Sequence, residues 1–159
     1  MPLNCNHLHA ILAAENETLC SFLDVLRGEQ TTLIKGKIDQ LGASVEPKAQ
    51  LILELAKLSE QRLQILRHCG MTPNRAGMEQ LLNEHYAGEG EETEQWEILL
   101  QRATAANQIN ISNGLMISAR MKATQRALST LTSAACLPAA YTSSGGTVGY
   151  HATRQIAVA

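Results

Sequence analysis

The stretch NQINISNGLM, residues 107–116, lies at the centre of the segment that decides the fold of this chain. A helical pattern without proline continues on both sides of it, from about residue 92 to about residue 135. Because an α-helix rises 1.5 Å per residue, a helix of this length would span roughly 60 Å. The pattern therefore predicts an all-α protein with one long C-terminal helix.

Polar and small residues interrupt the apolar stripe of this long helix. The predicted stripe consists of Trp96, Leu100, Ala103, Asn107, Asn110, Gly114, Ile117, Met121, Thr124, Leu128 and Leu131. A buried Asn costs stability but fixes register, because its amide needs a partner, and a helical Gly costs about 1 kcal/mol relative to Ala. We expect either a polar layer that aligns the bundle internally or a groove left partly open for a partner helix. Gly114 itself indicates a close approach of another backbone or room for another chain.

A first helix is predicted over residues 4–35, with leucines that recur every seven residues. The seam consists of Leu12, Leu19, Leu26 and Leu33, with Leu8, Glu15, Phe22 and Glu29 at the half-steps. This spacing is typical of a coiled-coil-like seam. The two glutamates predict that the seam is imperfect or partly at an edge.

Two more helices are predicted before the long one. Ser44 is the expected cap of the second helix, which ends before Gly70, a residue suited to the left-handed position beyond a helix. Its stripe is Leu51, Leu55, Leu58, Arg62, Ile65 and Cys69. Thr72 is the expected cap of a short third helix, with Pro73 as its first residue. This helix, over about residues 73–86, is expected to bury Met78, Leu81 and Leu82.

Together these elements predict an elongated antiparallel helical bundle, coiled-coil-like, over residues 1–136. From Leu137 onward the helical period ends and Pro, Gly, Ser and Thr become frequent, so residues 137–159 are predicted to be a flexible tail.

Composition limits the classes of partner. The 159 residues are 45% hydrophobic and only 3% aromatic, with 13 Lys and Arg against 15 Asp and Glu, for a net charge of -2. No face reads as a basic stripe, which disfavours nucleic acid, and no apolar run is long enough to cross a membrane. The N-terminus lacks the pattern of a signal peptide, and the four scattered cysteines favour a reduced, cytoplasmic setting.

No catalytic, metal or cofactor site is predicted. In CNHLH, Cys5 and His9 would share one face of a helix while His7 points away. Glu15 and Glu29 are too far apart for paired acid–base work, and SSGGTVG lacks the lysine of a phosphate loop.

The pair Asn113-Gly114, three residues after Asn110, carries a resemblance to a known family. With residues of matching order and spacing along nearly the whole chain, it resembles the core signature of the FlgN family of flagellar export chaperones. The other matching positions are Glu29, Leu33, Asp39, Leu41, Lys48, Leu51, Arg62, Leu66, Gly70, Trp96, Leu99, Leu100, Ile117, Arg120, Gln125, Leu128 and Leu131. Tyr141, with Gly145 four residues later, is similar to the family's tail motif, although TSS replaces its Pro and Asp.

The resemblance implies a cytoplasmic chaperone that binds the terminal helical segments of the hook-associated proteins at the hook-filament junction. It would prevent their premature association and deliver them to the type III export gate. The expected cargo-binding residues are Asn110, Asn113, Gly114, Ile117, Met121, Leu128 and Leu131. Tyr141 is the expected contact with the export gate.

Two alternatives stay open at this point. One is a structural coiled-coil adaptor that self-associates without export cargo, and the other is a helical-bundle enzyme or metal protein. The sequence leaves the oligomeric state open.

Overall fold

The computed structural model describes residues 5–86, 88 and 90–135, with side chains from His7 to Ala134. Its α-helices are α1 (Cys5–Ile34), α2 (Val45–His68), α3 (Arg75–Tyr86) and α4 (Glu91–Ala135), with a short 3-10 helix at Ile38–Ser44. No strand occurs among these residues, and the predicted all-α bundle with a long last helix is confirmed. No helix in the described part is long and apolar enough to span a membrane.

The chain divides into two units, Met1–Ile117 and Ser118–Ala159. The first unit contains α1, α2, α3 and the first part of α4. Of the second unit the structure describes residues 118–135, which are the end of α4. The predicted flexible tail, residues 137–159, lies outside the described residues, so the predicted domain boundary stays a prediction.

The core of the first unit is built around α1. Every position of the predicted heptad seam is buried, including Leu12, Leu26 and Leu33, which are fully enclosed. Leucines of this kind each stabilise the fold by about 1.5–3 kcal/mol when buried. Glu15 and Glu29 are buried as well, so the expectation that they mark an edge of the seam is wrong.

Polar contacts define how the long helices run. The carboxylate of Glu15 accepts from Arg62, and that of Glu29, fourteen residues further along α1, accepts from Lys48. The order of these pairs makes α1 and α2 antiparallel. Asn16 contacts Gln95 and Leu26 contacts Asn113, so α4 runs parallel to α1.

The turn after α2 is the one that the sequence predicts. Gly70 adopts a left-handed backbone with φ of 71°. The Gly70 N–H donates to the Arg67 carbonyl, and the Met71 N–H donates to the Leu66 carbonyl. These two bonds form the Schellman arrangement that ends a helix.

The start of α3 differs from the prediction. Asn74, not Thr72, is the cap, because its Oδ1 accepts from the Gly77 N–H at 2.9 Å. Thr72 instead donates its hydroxyl to Asn74, and Pro73 precedes the helix, which begins at Arg75. The predicted burial of Met78, Leu81 and Leu82 is confirmed.

Ser44 stands before α2 as predicted, but its side chain does not cap the helix. Its backbone is already helical because the 3-10 helix leads directly into α2. The hydroxyl donates backwards to the Leu41 carbonyl at 2.8 Å.

Candidate partner-binding surface

The buried side of α4 differs from the predicted stripe. Asn107, Asn110 and Gly114 are exposed, whereas Asn113 is only 1% exposed. The buried positions of the helix are Trp96, Leu99, Ala106 and Asn113. Of the two interpretations of Asn107, Asn110 and Gly114, the internal polar layer is therefore wrong, and a different asparagine forms that layer. The second interpretation, a groove open to a partner helix, stays a prediction.

Asn113 and Glu29 form a polar layer that joins three helices of the first unit. The Nδ2 of Asn113 donates to the Leu26 carbonyl at 2.9 Å and to Glu29 Oε2 at 2.8 Å. Lys48 of α2 donates to the same Glu29 oxygen at 3.0 Å. Because a buried amide and a buried carboxylate both need partners, this layer fixes α4 in one register against α1.

A second cluster of interacting side chains lies nearer the N-terminal end of α1. Arg62 donates its Nε to Glu15 at 2.8 Å, and its guanidinium lies 5.0 Å from the centre of the Trp96 ring. Burial raises the pKa of Glu15 above its usual value, although the hydrogen bond and the charge of Arg62 act in the opposite direction. An open cleft of about 240 Å³ adjoins these three side chains.

Asn16 is a structural residue that the sequence reasoning missed. Its Nδ2 donates to the Gln95 carbonyl at 2.8 Å, and its own carbonyl accepts from Arg102 at 3.0 Å. Its one sequence signal is an Asn, a weak helix former, within a long heptad pattern. Together with Asn113, it ties α4 to α1 at two levels.

Gly114 has open space where a side chain would begin. A Cβ built on it meets nothing within 4 Å among the described residues. The expectation of a close backbone approach at Gly114 is therefore wrong. Its other interpretation, room for another chain, stays a prediction.

The structure places the predicted cargo residues in different environments. In the first unit Asn110 and Gly114 are exposed, Ile117 is half-buried and Asn113 is buried. In the second unit Met121, Leu128 and Leu131 are 59%, 57% and 66% exposed. Tyr141, the predicted export-gate residue, lies outside the described residues.

The second unit presents an apolar surface. Every side chain from Ser118 to Ala134 is exposed. Met121 and Leu128 are seven residues apart and therefore share one side of the helix, and Leu131 follows one turn later. We call Met121, Leu128 and Leu131 the distal stripe. Large apolar side chains grouped on an exposed helix are typical of a protein-binding surface.

The histidines of the CNHLH motif and the free thiol of Cys69 lie in separate environments. His7 is exposed, and the half-buried His9 lies 3.8 Å from Glu91 and 3.9 Å from Glu92. Among the described residues, no three His, Cys, Asp or Glu side chains form a group that could hold a metal ion. Burial raises the pKa of the Cys69 thiol above its usual value, which makes it less reactive.

An all-α bundle whose last helix exposes an apolar stripe is typical of helical proteins that bind other proteins. Comparison of the chain with models of known protein families shows to which family of this class it belongs. The model of the FlgN protein family matches residues 1–149, and the chain belongs to this family. It is thus a flagellar export chaperone, from a family of chaperones and not of enzymes, and flagellar cargo proteins are its partners. No match was found among curated proteins or solved structures.

Proposed function

We propose that this chaperone works in the cytoplasm on the hook-associated proteins of the hook-filament junction. It binds the C-terminal helical segments of these proteins, prevents their premature association and delivers them to the export gate. Family membership supports the general activity, and the exposed distal stripe supports the mode of binding.

The observation that carries this proposal is the exposure of the distal stripe. A cargo helix laid along Met121, Leu128 and Leu131 removes apolar surface of both partners from water. Each of the three side chains contributes about 1.5–3 kcal/mol when fully covered. Ordering of the cargo segment offsets part of this gain, and only the surplus appears as affinity. Methionine suits such a surface, because its flexible thioether adapts to irregular partners.

The asparagine layer has a supporting role in this proposal. Asn113 is buried against Leu26 and Glu29, and we propose that it holds α4 in place rather than contacting cargo. The exposed Asn110 and Gly114 and the half-buried Ile117 stay proposed cargo contacts of the first unit. Tyr141 stays the proposed contact with the export gate.

Aspartate substitutions in the distal stripe test the proposal. Met121→Asp or Leu128→Asp should weaken capture of junction-protein C-terminal segments at least tenfold, because each places a charge in an apolar contact. Helical circular dichroism should be unchanged, since both side chains are exposed. Isothermal titration calorimetry with the purified segments measures the change in affinity.

Leu53→Asp is the matched control, since Leu53 is 64% exposed on α2, outside the proposed surface. It should leave capture unchanged. Equal loss of capture in all three variants, or full capture in both stripe variants, would contradict the distal stripe as the site. Light scattering addresses the adaptor alternative: a stable oligomer with no affinity for the segments would favour it.

A further inference from the structure

A cleft opens between α2 and α4 in the first unit, and α1 forms its floor. Neighbouring residues of α1 bind different helices, since Glu15 accepts from Arg62 of α2 and Asn16 donates to Gln95 of α4. The two helices therefore lie side by side on α1, with an open space of about 240 Å³ between them. We call this space the α2–α4 cleft. Its lining includes Leu19 of α1, Leu55 and Ser59 of α2, and Leu100 and Ala103 of α4.

At one end of the α2–α4 cleft, α3 packs against both of these helices. Leu82 of α3 and Leu100 of α4 line the same pocket, and Leu100 also lines the cleft, so α3 and the cleft are neighbours along α4. With 12 residues against 24 in α2, α3 is half as long as the helix beside it. The chain thus covers one part of the row between α2 and α4 with a helix of its own and leaves the next part open.

At the other end the polar layer closes the cleft. Glu29 accepts from Asn113 of α4 and from Lys48 of α2, and this shared carboxylate holds the two helices together. Leu100 and Asn113 are thirteen residues apart on α4, which corresponds to about 20 Å. An occupant between α3 and the polar layer therefore has room for about three turns of helix.

The chemistry of the cleft favours an uncharged apolar surface. Residues 98–117 of α4 contain one charged residue, Arg102, which is bonded to Asn16. The charges of Glu15 and Arg62 are paired with each other. A charged group brought into the cleft would lose its hydration without gaining a partner, whereas apolar side chains would be favourably buried.

The shape of the cleft favours a helix over a small ligand. Ser59 and Ala103, on opposite walls, have small side chains, and small side chains at a contact let two helices approach closely. The cleft is open along its length, and its volume is below the roughly 300–1,000 Å³ of typical ligand pockets. The neighbouring α3 shows that this row of the bundle accepts a helix, because its Met78, Leu81 and Leu82 are buried there.

We propose that the α2–α4 cleft binds a short helix of the cargo's terminal segment, through an apolar side that carries no charged residue. This inference rests on the proposed function and adds to it a second binding surface, within the first unit. The bound helix continues the row that α3 begins and completes a four-helix packing over the open part of α1. Asn107 and Asn110 are exposed on the same side of α4 as Ala103, and their amides bond to polar side chains at the edge of the bound helix.

A charge placed in the cleft tests the inference. Ala103→Glu should weaken binding of the junction-protein C-terminal segments about tenfold, because the carboxylate would lie unpaired against an apolar surface. The matched control is Gln101→Glu, which adds the same charge two residues away and about 160° around the helix. It should bind like the unmodified chain. Both native side chains are exposed, so helical circular dichroism should be unchanged in both variants. Isothermal titration calorimetry measures the affinities.

Photochemical crosslinking tests the same contact without adding a charge. A p-benzoylphenylalanine in place of Ala103 should crosslink to the bound junction-protein segment, and the same residue in place of Gln101 should not. Mass spectrometry of the adduct identifies the crosslinked position, which should lie on an apolar side of the segment without Asp, Glu, Lys or Arg.

The outcomes separate this inference from the proposed function. If the unmodified chain binds no junction-protein segment, the proposed function fails and the inference fails with it. If Leu128→Asp abolishes binding, Ala103→Glu has no effect and position 103 forms no crosslink, the distal stripe is the cargo site and the inference alone is wrong. Loss of binding in Ala103→Glu with full binding in Leu128→Asp would support the cleft and contradict the stripe. Crosslinks from position 103 to a second copy of the chain, or to residues 137–159, would assign the cleft to another occupant and overturn the inference.

Discussion

Two glutamates lie in the core of α1, and each is matched to a basic residue of α2. Glu15 pairs with Arg62, and Glu29 pairs with Lys48 and with the amide of Asn113. Removing one partner of a buried pair leaves an uncompensated charge, which is far more costly than the net value of the pair. These residues therefore set the register of the helices, whereas the leucines supply most of the stability.

The ionisation of Glu15 makes stability depend on pH in a defined direction. Burial raises its pKa above the usual value of 4.5, so the folded chain binds this proton more tightly than the unfolded chain does. Between the unfolded and the folded pKa, stability therefore falls as pH rises and increases as pH falls. The unmodified chain should gain stability relative to Glu15→Gln as the pH is lowered from neutral towards 4.5. Urea denaturation of both proteins across this range measures the difference.

In the comparison with Glu15→Gln, the contributions of the other titrating groups to the pH dependence of stability cancel, because both proteins share these groups. Below the unfolded pKa the difference should level off. A relative loss of stability on acidification would contradict the expected sign and show that the Arg62 charge outweighs burial.

At the scale of the helices, two glycines have opposite surroundings. Gly77 lies near the start of α3, and a Cβ on it would collide with the Thr72 carbonyl. Gly114 lies within α4, where a Cβ would meet open space. One glycine is thus needed for the turn before α3, and the other lowers the stability of its helix without any packing reason in the described residues.

Substitution of each glycine by alanine should therefore change stability in opposite directions. Gly114→Ala should raise the free energy of unfolding by about 1 kcal/mol, because alanine loses less backbone entropy in a helix. Gly77→Ala should lower it by about 1–3 kcal/mol, because the Thr72 backbone must move. Chemical denaturation measures both, and each variant serves as control for the other. Destabilisation by Gly114→Ala would mean that the space beside it is filled.

The existence and length of the helices could be predicted because α1 and α4 carry long, uninterrupted patterns. The register of α4, meaning which of its faces packs against α1, could not be predicted from the sequence. Asn107, Asn110 and Asn113 follow at three-residue steps, and each step turns the side chain back by about 60°. The asparagine that faces α1 is selected by acceptors on another helix, the Leu26 carbonyl and the Glu29 carboxylate. Periodicity within α4 contains no information about them.

The cap of α3 is a second feature that the sequence pattern alone could not determine. Thr72 and Asn74 are both good capping residues, and Pro73 between them is compatible with a helix start after Thr72. The structure selects Asn74, whose side chain accepts from the Gly77 N–H. The sequence-based choice failed because it weighed Pro73 and not the contact between Thr72 and Gly77.

At the scale of the whole molecule, the hydrophobic core and the distal stripe fall in different units. The hydrophobic core runs from Leu8 to Ala106, and the last buried polar residue is Asn113. The distal stripe belongs to the second unit, which begins at Ser118. The exposure of the distal stripe could be anticipated only from the family resemblance. The apolar pattern of α4 would be the same whether these residues formed a core or a cargo-binding surface.

Truncation separates the contributions of these parts. A chain that ends at residue 136 should melt within about 2 °C of the full chain, because no described core residue is removed. A chain that ends at residue 110 loses Asn113 and leaves Glu29 with one partner fewer, which costs about 1–3 kcal/mol and several degrees. Differential scanning calorimetry measures both. A large drop for the longer chain would show that residues 137–159 contribute to the packing.

The position of Trp96 has a practical consequence. It is the single tryptophan of the chain, it is buried in the first unit, and a guanidinium lies over its ring. Its fluorescence is therefore an intrinsic optical reporter of one unit alone. Denaturation curves can be recorded without labels, and a dye attached near the distal stripe can follow ligand occupancy in a separate spectral channel.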